Sequence, residues 1–290
     1  MRHHLPLIAA LALAGCETFV DLDPADFDPE LAVSGPFETG VPWSIEVSQT
    51  VALNGPSADG EGAAVLDAAV EVVGDGGTRT VLTHVGEGRY ESPGAPVAGT
   101  VYTLSVRAPG FPEATATSTA PALPESVSVG GVRRSEGGGP TDFELSFDDP
   151  AAAGDLYELS VYFEIPQEDG PPFVGFTTFT TPAPVRREST FLDDIQTGSR
   201  SPRYTSVFLD DERPITSVPV SMAAFGEGDL FVTLAVASEE YYEQARARVR
   251  QREAARNPFA EPVPAYSNVR GGYGEFVGVA RRSVPVRRSP

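Results

Sequence analysis

The sequence contains no lysine, and its 21 basic residues, all arginine, face 41 acidic residues. The resulting formal charge of −20 repels the phosphate backbone of nucleic acids, so no nucleic-acid partner is predicted. Without lysine, the Gly-x-x-x-x-Gly-Lys loop that holds nucleotide phosphates cannot occur. The single cysteine, Cys16, allows no internal disulfide. The fold must therefore be held by its hydrophobic core.

Histidine is also scarce: His3 and His4 stand at the start of the chain, and only His84 lies further along. One histidine cannot make a typical zinc site, and neither a Gly-x-Ser-x-Gly elbow nor a His-Glu-x-x-His helix occurs. The pattern around His84 favours a surface or half-buried strand residue over a catalytic base. We therefore predict no catalytic residue, no metal ligand and no cofactor, and we expect a protein that is not an enzyme.

Residues 1–15 have the features of a bacterial signal peptide. A basic start is followed by an apolar run over residues 5–13, whereas a membrane-spanning helix needs about 20 residues. The run ends in Leu13-Ala14-Gly15-Cys16, which resembles the lipobox of bacterial lipoproteins. The resemblance implies cleavage between Gly15 and Cys16 and attachment of lipid, palmitate included, to the Cys16 thiol. An ordinary signal peptide, or a buried helix that contains this cysteine by chance, is the alternative.

An acidic segment, residues 16–29, follows the lipobox and contains no basic residue. Its acids lack the spacing, the turn glycine and the closing glutamate of a calcium loop. We interpret the segment as a solvated tether, with a calcium site as the alternative.

Residues 30–121 consist of short runs with alternating apolar and polar side chains, separated by glycine, proline and aspartate. Trp43, Ile45 and Val47 fall on one face of such a run, which is the period of a half-buried strand. About seven runs of this kind without helical periodicity predict an immunoglobulin-like antiparallel β-sandwich. The cysteine pair usual in that fold is absent.

A proline-containing segment, residues 121–124, predicts a stiff hinge and a domain boundary. Residues 122–290 are predicted to form a second β-rich domain, with strong strand patterns at residues 143–147, 157–163 and 230–236 and long loops within 166–219. Residues 238–256 lack glycine and proline, begin at a capping serine and end in arginines, which predicts one α-helix. Its apolar face, with Tyr242, Ala245 and Val249, should pack on a sheet.

Carboxylates are the only abundant side chains of this chain that could catalyse a reaction or bind a metal ion. They occur in pairs at Asp148-Asp149, Asp193-Asp194 and Asp210-Asp211. Neighbouring residues of a strand point to opposite faces, so such pairs rarely supply the two facing carboxyl groups of a glycosidase. Several doublets are expected by chance among 41 acids. Calcium binding and two-acid catalysis stay open as alternatives to a solvated surface.

Three further groups of residues each have a structural and a functional interpretation. For a set of aromatic residues, we favour anchoring of the core or of loops over a cleft for sugars or peptides. For the arginines of the helix, we favour pairing with carboxylates over a site for an acidic partner. For a glycine motif near the C-terminus, we favour a closing turn over a binding loop. The aromatic set comprises Phe173, Phe176, Phe179, Tyr204 and Phe208; the arginines are Arg246, Arg248, Arg250 and Arg252; the glycine motif spans residues 268–276.

The order of several short motifs resembles an uncharacterised lipoprotein family of Bacteroidetes and their relatives, domain of unknown function 4249. The motifs are Val-Asp-Leu-Asp-Pro at 20–24, Leu-Ala-Val-Ser-Gly at 31–35, Ala-Ala-Val-Glu-Val at 68–72, Gly-Arg-Tyr at 88–90, residues 99–106, Asn-Pro-Phe at 257–259 and residues 266–276. Members are similar to accessory lipoproteins found with outer-membrane TonB-dependent transporters. The resemblance implies an outer-membrane lipoprotein, on either its periplasmic or its surface face.

The sequence thus predicts a membrane-anchored protein of the cell envelope that acts as a non-catalytic binding or assembly module, with a TonB-dependent transporter as the implied partner. The alternative is a carboxylate-based hydrolase of envelope or environmental polysaccharide. A purely structural spacer is a third hypothesis, for which a surface without a sizeable pocket or apolar patch is expected.

Overall fold

A computed structural model describes residues 27–52, 63–134, 141–148, 155–185, 191–192, 203–204, 206–209, 215–222, 228–257 and 259–287. Within these ranges the protein is mainly β, with two sheets and one α-helix near the C-terminus, which confirms the predicted fold class. No helix in this part of the chain is both long enough and apolar enough to cross a membrane.

The N-terminal strands follow the alternation of the sequence. In β2 the side chains of Trp43, Ile45 and Val47 are buried, while Ser44 and Glu46 between them are exposed. The strands of this half are β1 Leu31–Glu38, β2 Trp43–Gln49, β3 Ala63–Ala64, β4 Ala69–Gly74, β5 Arg79–Gly86, β6 Arg89–Ser92, β7 Val101–Arg107 and β8 Ala114–Thr119.

These strands form a sandwich because β5 pairs with β6 on one side and with β4 on the other. Apolar side chains of β1, β2 and β6 therefore meet those of β4, β7 and β8 in one core. The open side of the sandwich is closed near the C-terminal glycine motif, where the main chains of Thr115 and Arg270 exchange two hydrogen bonds of 2.8 Å.

The second half adds a smaller sheet of six strands in the order β14-β15-β13-β17-β10-β9. Its buried face packs on β11 and β18 of the larger sheet, and the side chains between them make a second core. The strands are β9 Val127–Arg134, β10 Thr141–Phe147, β11 Leu156–Ile165, β12 Phe173–Phe176, β13 Phe179–Thr180, β14 Phe191–Leu192, β15 Arg203–Tyr204, β16 Ser206–Phe208, β17 Ser217–Met222, β18 Asp229–Ala237 and β19 Tyr273–Pro285.

The interval 166–219, where the sequence predicts long loops, contains several of these short strands. Their apolar runs are too short and too irregular to show a period of two. The run Phe-Val-Gly-Phe of β12 is an example, because its pairing with β11 comes from tertiary contact rather than from local alternation.

The last strand, β19, joins the two halves. It pairs antiparallel with β18 and, over its first residues, parallel with β1, so the large sheet runs continuously from β12 to β8. Phe276 of β19 lies in the first core, whereas Val286, just beyond the strand, lies in the second. The domain boundary at residues 121–124 stays a prediction, and the two cores are linked by the C-terminal strand.

The helix α1, Glu239–Ala255, confirms the predicted segment to within a residue at each end. The Ser238 hydroxyl accepts the Tyr241 N–H at 3.1 Å and so caps the first turn. Tyr242 packs with Phe208, Leu156 and Ala237 on the face of the large sheet that points away from the second core. The helix therefore covers only one end of that face.

A buried polar joint lies where the helix meets both halves. The Ser118 hydroxyl of β8 donates to the Glu240 carboxylate at 2.8 Å and accepts the Gly278 N–H at 3.1 Å. Its oxygen is also 3.1 Å from that of Ser238. Because both serines are buried, these hydrogen bonds satisfy groups that water cannot reach and orient the helix on the sheet.

Candidate functional site

The predicted anchor, Cys16 with the cleavage bond to Gly15, and most of the acidic tether lie outside the described residues. The same holds for Asp149 and for the doublets at 193–194 and 210–211. Of the paired acids, Asp148 is described, and its carboxylate accepts a hydrogen bond from the Ser126 hydroxyl at 2.6 Å. Among the residues that the structure describes, no group of three or more His, Cys, Asp or Glu side chains is arranged to hold a metal ion.

His84 lies on β5 opposite Tyr90 of β6, with the two rings 5.2 Å apart. It is half-buried, as expected for a residue of an alternating strand. Its Nε2 atom is buried and has no hydrogen-bond partner in the structure. The Tyr90 hydroxyl instead donates to the Val65 carbonyl at 2.9 Å. This placement agrees with a packing role for His84.

The helix arginines are paired with carboxylates at two positions. Arg246 donates to Glu243 at 2.6 Å and lies over the Tyr242 ring, and Arg248 reaches Glu275 of β19 at 3.5 Å. These contacts favour the interpretation of a charged, solvated helix face. Ion pairs that are partly open to solvent contribute little to stability.

Acidic residues also surround Tyr266, which precedes the glycine motif. Burial raises the pKa of the Tyr266 phenol to about 12, and the carboxylates of Glu240, Glu243, Glu239 and Glu275 contribute in the same direction. The phenol therefore stays neutral, and able to donate a hydrogen bond, throughout the physiological pH range.

The glycine motif is a closing structure at the end of the sandwich. The Asn268 side chain exchanges two hydrogen bonds with the main chain of Phe276, accepting its N–H at 2.9 Å and donating to its carbonyl at 2.8 Å. Gly271 and Gly274 have positive φ angles of 77° and 116° and approach the backbone of β8 and β1 closely. An open cleft of about 850 Å³, lined by residues 28–30, 109–112 and 271–273, lies beside this motif.

The aromatic set is divided by the fold. Phe179 and Phe208 are buried, the Tyr204 side chain lies outside the described residues, and Phe173 and Phe176 of β12 are 52% and 69% exposed. Val174 between them is 49% exposed. The burial of Phe179 and Phe208 agrees with the predicted core role of these aromatic residues, whereas β12 presents apolar side chains to solvent on both of its faces.

These side chains belong to a larger surface, the β12 edge surface. It consists of Phe173 on one face of the sheet and of Val174, Phe176, Tyr162 of β11 and Phe231 of β18 on the other. Phe176, Tyr162 and Phe231 are cross-strand neighbours in one row across three strands. The Tyr162 and Phe231 rings are stacked with their centroids 5.1 Å apart, and the Phe176 ring is 6.4 Å from Tyr162. The helix, which covers the other end of this sheet face, leaves the row uncovered.

An acidic row lies two residues along from the aromatic row. Glu164 of β11 is directly opposite Asp229 of β18, and Val174 of β12 is the next residue in that row. Like charges at directly opposite positions destabilise a sheet. In the described part of the chain neither carboxylate forms an ion pair, so the row is an uncompensated negative patch beside the aromatic side chains.

Sequence reasoning identified Phe173 and Phe176 but missed Tyr162, Phe231, Glu164 and Asp229. The missing signal is strand register, because these residues become neighbours only when β12, β11 and β18 pair. A local trace exists in the alternation of residues 158–164, where Tyr162 and Glu164 fall on the face opposite to Tyr157, Leu159 and Val161.

Comparison with known proteins identifies a family for the chain. No curated protein sequence matches the chain. The family described as Domain of unknown function (DUF4249) matches residues 17–284, which span nearly all of the sequence and both cores. The chain therefore belongs to this family.

Proposed function

We propose that this protein is a lipid-anchored, non-catalytic binding or assembly module of the cell envelope, and that it contacts a partner protein through the β12 edge surface. The observation that carries the binding role is the β12 edge surface, where three apolar side chains of an edge strand, Phe173, Val174 and Phe176, are exposed. Monomeric proteins rarely expose large contiguous apolar patches, and such patches mark sites of interaction with other molecules. A purely structural spacer, which binds no partner, is not expected to have such a surface.

The position of the surface fits an anchored protein. It lies on the β11 and β18 end of the large sheet, whereas the N-terminal segment enters the fold at β1, four strands away in the order β12-β11-β18-β19-β1. With strands about 4.8 Å apart, this separation is about 20 Å. The first strand after the acidic segment, β1, is therefore separate from the β12 edge. The implied partner, a TonB-dependent transporter of the outer membrane, comes from the family resemblance alone.

The anchor is tested by Cys16→Ser. Without the thiol no lipid can be attached, so we expect the protein to leave the membrane fraction or to accumulate as an unprocessed precursor. Fractionation with antibody detection, together with metabolic labelling by an alkynyl fatty acid, measures both outcomes. Unchanged labelling and membrane association would refute the lipobox assignment.

The binding role is tested by purification of the tagged protein from detergent-solubilised outer membranes, with quantitative mass spectrometry of what accompanies it. We expect the double variant Phe173→Ser/Phe176→Ser to lower the recovery of its envelope partner by about tenfold or more, because burial of each phenylalanine is worth roughly 1.5–3 kcal/mol. Val81→Ser, at a 63% exposed position of β5, is the matched control and should leave recovery unchanged. Equal recovery with the double variant, or no reproducible envelope partner, would contradict the proposal.

A further inference from the structure

The β12 strand has a free side. It is the terminal strand of the large sheet and pairs with β11 alone among the residues that the structure describes. The unpaired main-chain groups of an edge strand are a template for an additional strand. Charged residues and proline are common protections of an edge strand, but the four residues of β12 are Phe, Val, Gly and Phe.

β12 is held firmly enough to serve as such a template. Gly175 lies opposite Phe163, and the Phe163 ring fills the space where any larger side chain of residue 175 would lie. On the same face, the Phe163 and Phe173 rings are 6.1 Å apart. Beyond the strand, the Thr177 N–H donates to the Val161 carbonyl at 3.1 Å. The strand is therefore fixed on its inner side, while no described residue pairs with its outer side.

The orientation of the aromatic rings favours a polypeptide over a sugar. The rings of Tyr162 and Phe231 lie on neighbouring strands and are nearly parallel, with an interplanar angle of 12°. Because they stack from one strand to the next, the ring planes stand upright on the sheet. The two rings therefore cover one another and point their edges outward. Sugars stack on open ring faces, whereas apolar side chains of a protein pack well against ring edges.

The acidic row specifies the charge of the partner. Glu164 and Asp229 are adjacent and uncompensated, and the whole chain carries a formal charge of −20. A second copy of the same chain would add like charge at this edge. If a partner segment pairs with β12, a basic side chain opposite Val174 would lie on the same face of the sheet as the two carboxylates. An arginine at this position is long enough to pass over Val174 toward Glu164.

We propose that the outer edge of β12 accepts an extended segment of a partner protein as an additional strand. In this segment an apolar residue lies opposite Phe176 and continues the aromatic row, and a basic residue two positions away lies opposite Val174. Main-chain hydrogen bonds supply affinity, and the two side chains supply specificity. This inference rests on the proposed binding role and identifies the chemistry of the partner.

The test uses the full-length protein purified in detergent and fluorescent peptides with the sequence Thr-Val-Thr-Phe-Thr-Arg-Thr, in this and in the reversed order so that both strand directions are sampled. Phe and Arg, two positions apart, share one face of a strand. Fluorescence anisotropy measures affinity. We expect binding to one of the two orders, a loss of about tenfold when Arg is replaced by Glu, and a loss of similar size with Phe176→Ser. Val81→Ser should bind like the wild type.

Two further measurements distinguish strand addition from non-specific hydrophobic binding. Peptides N-methylated at one set of alternate amides should lose binding, and those methylated at the other set should retain it, because only one set faces β12. The double variant Glu164→Gln/Asp229→Asn should remove the preference for Arg over Glu, whereas the control Val81→Ser should keep it. Equal binding of the two methylated sets, or an Arg preference that survives the double variant, would overturn the inference.

Two other outcomes are also informative. Binding of maltohexaose that Phe176→Ser abolishes would overturn the inference in favour of a sugar site. If Phe173→Ser/Phe176→Ser loses its envelope partner while N-methylation has no effect, strand addition is refuted and the proposed function stands. If the peptides bind as expected but no envelope partner depends on β12, the edge chemistry is correct and the proposed function fails.

Discussion

Replacement of Phe276 by alanine is expected to lower the free energy of unfolding by about 3–5 kcal/mol, the range for a buried phenylalanine. The side chain is fully buried in the first core, although its strand comes from the C-terminal end of the chain. Its ring lies 4.7 Å from that of Phe37 and 6.1 Å from that of Trp43. The surrounding residues belong to β1 and β2, so they cannot collapse into the space without disturbing the sandwich.

Trp43 makes this experiment direct, because it is the only tryptophan of the chain and reports on the same core. Urea unfolding of the soluble form that starts at Glu17, followed by tryptophan fluorescence and by far-ultraviolet circular dichroism, gives the free energy. Tyr273→Ala, at an exposed position of the same strand, should change it by no more than about 0.5 kcal/mol. A loss below about 1 kcal/mol for Phe276→Ala would contradict the placement of β19 in the first core.

Gly274→Ala is expected to lower the free energy of unfolding by a similar amount, although it adds only a single methyl group. Gly274 is paired with Val33 of β1 and has a φ of 116°, a conformation that side chains rarely adopt. A β-carbon at this position would overlap the Val33 carbonyl, a main-chain atom that cannot move without breaking the parallel pair. Strain and overpacking together predict a loss of roughly 3 kcal/mol or more.

The matched control is Gly99→Ala. Gly99 has a φ of 79°, but a β-carbon there would meet no atom within 4 Å. This variant therefore carries the backbone strain without the overlap, and we expect a loss of about 1–2 kcal/mol. The difference between the two variants in thermal and urea unfolding measures the close approach of β1 and β19. Equal losses would show that the overlap is relieved without cost, which contradicts a tight parallel pair.

Both predictions concern β19, the element that sequence reasoning anticipated least. The glycines of residues 271–274 predicted a close backbone approach, and the structure shows one. The partner strand was not predictable, because β1 and β19 are separated by more than 230 residues and parallel pairing leaves no periodic trace. The same limit applies to the buried joint of Ser118, Ser238 and Gly278, whose members are ordinary residues until three distant elements meet.

For the β12 edge surface, too, the sequence predicted only part of what the structure shows. Composition pointed to the aromatic residues between 173 and 208 as a group, but burial separates Phe179 and Phe208 from Phe173 and Phe176. Tyr162 and Phe231 joined the surface only through register. The acidic pair of Glu164 and Asp229 likewise depends on the alignment of β11 with β18.

The sequence by itself determined the class of the fold, the position of the helix and the family, and it predicts an anchor at Cys16. These properties follow from local patterns: alternation buries every second side chain of a strand, a capping serine begins a helix, and a lipobox is read by an enzyme as a linear motif. Only the tertiary structure decided which strand closes the sandwich and which aromatic side chains stay in solvent. Both depend on contacts between distant segments, where the burial of apolar area and the register of hydrogen bonds act together.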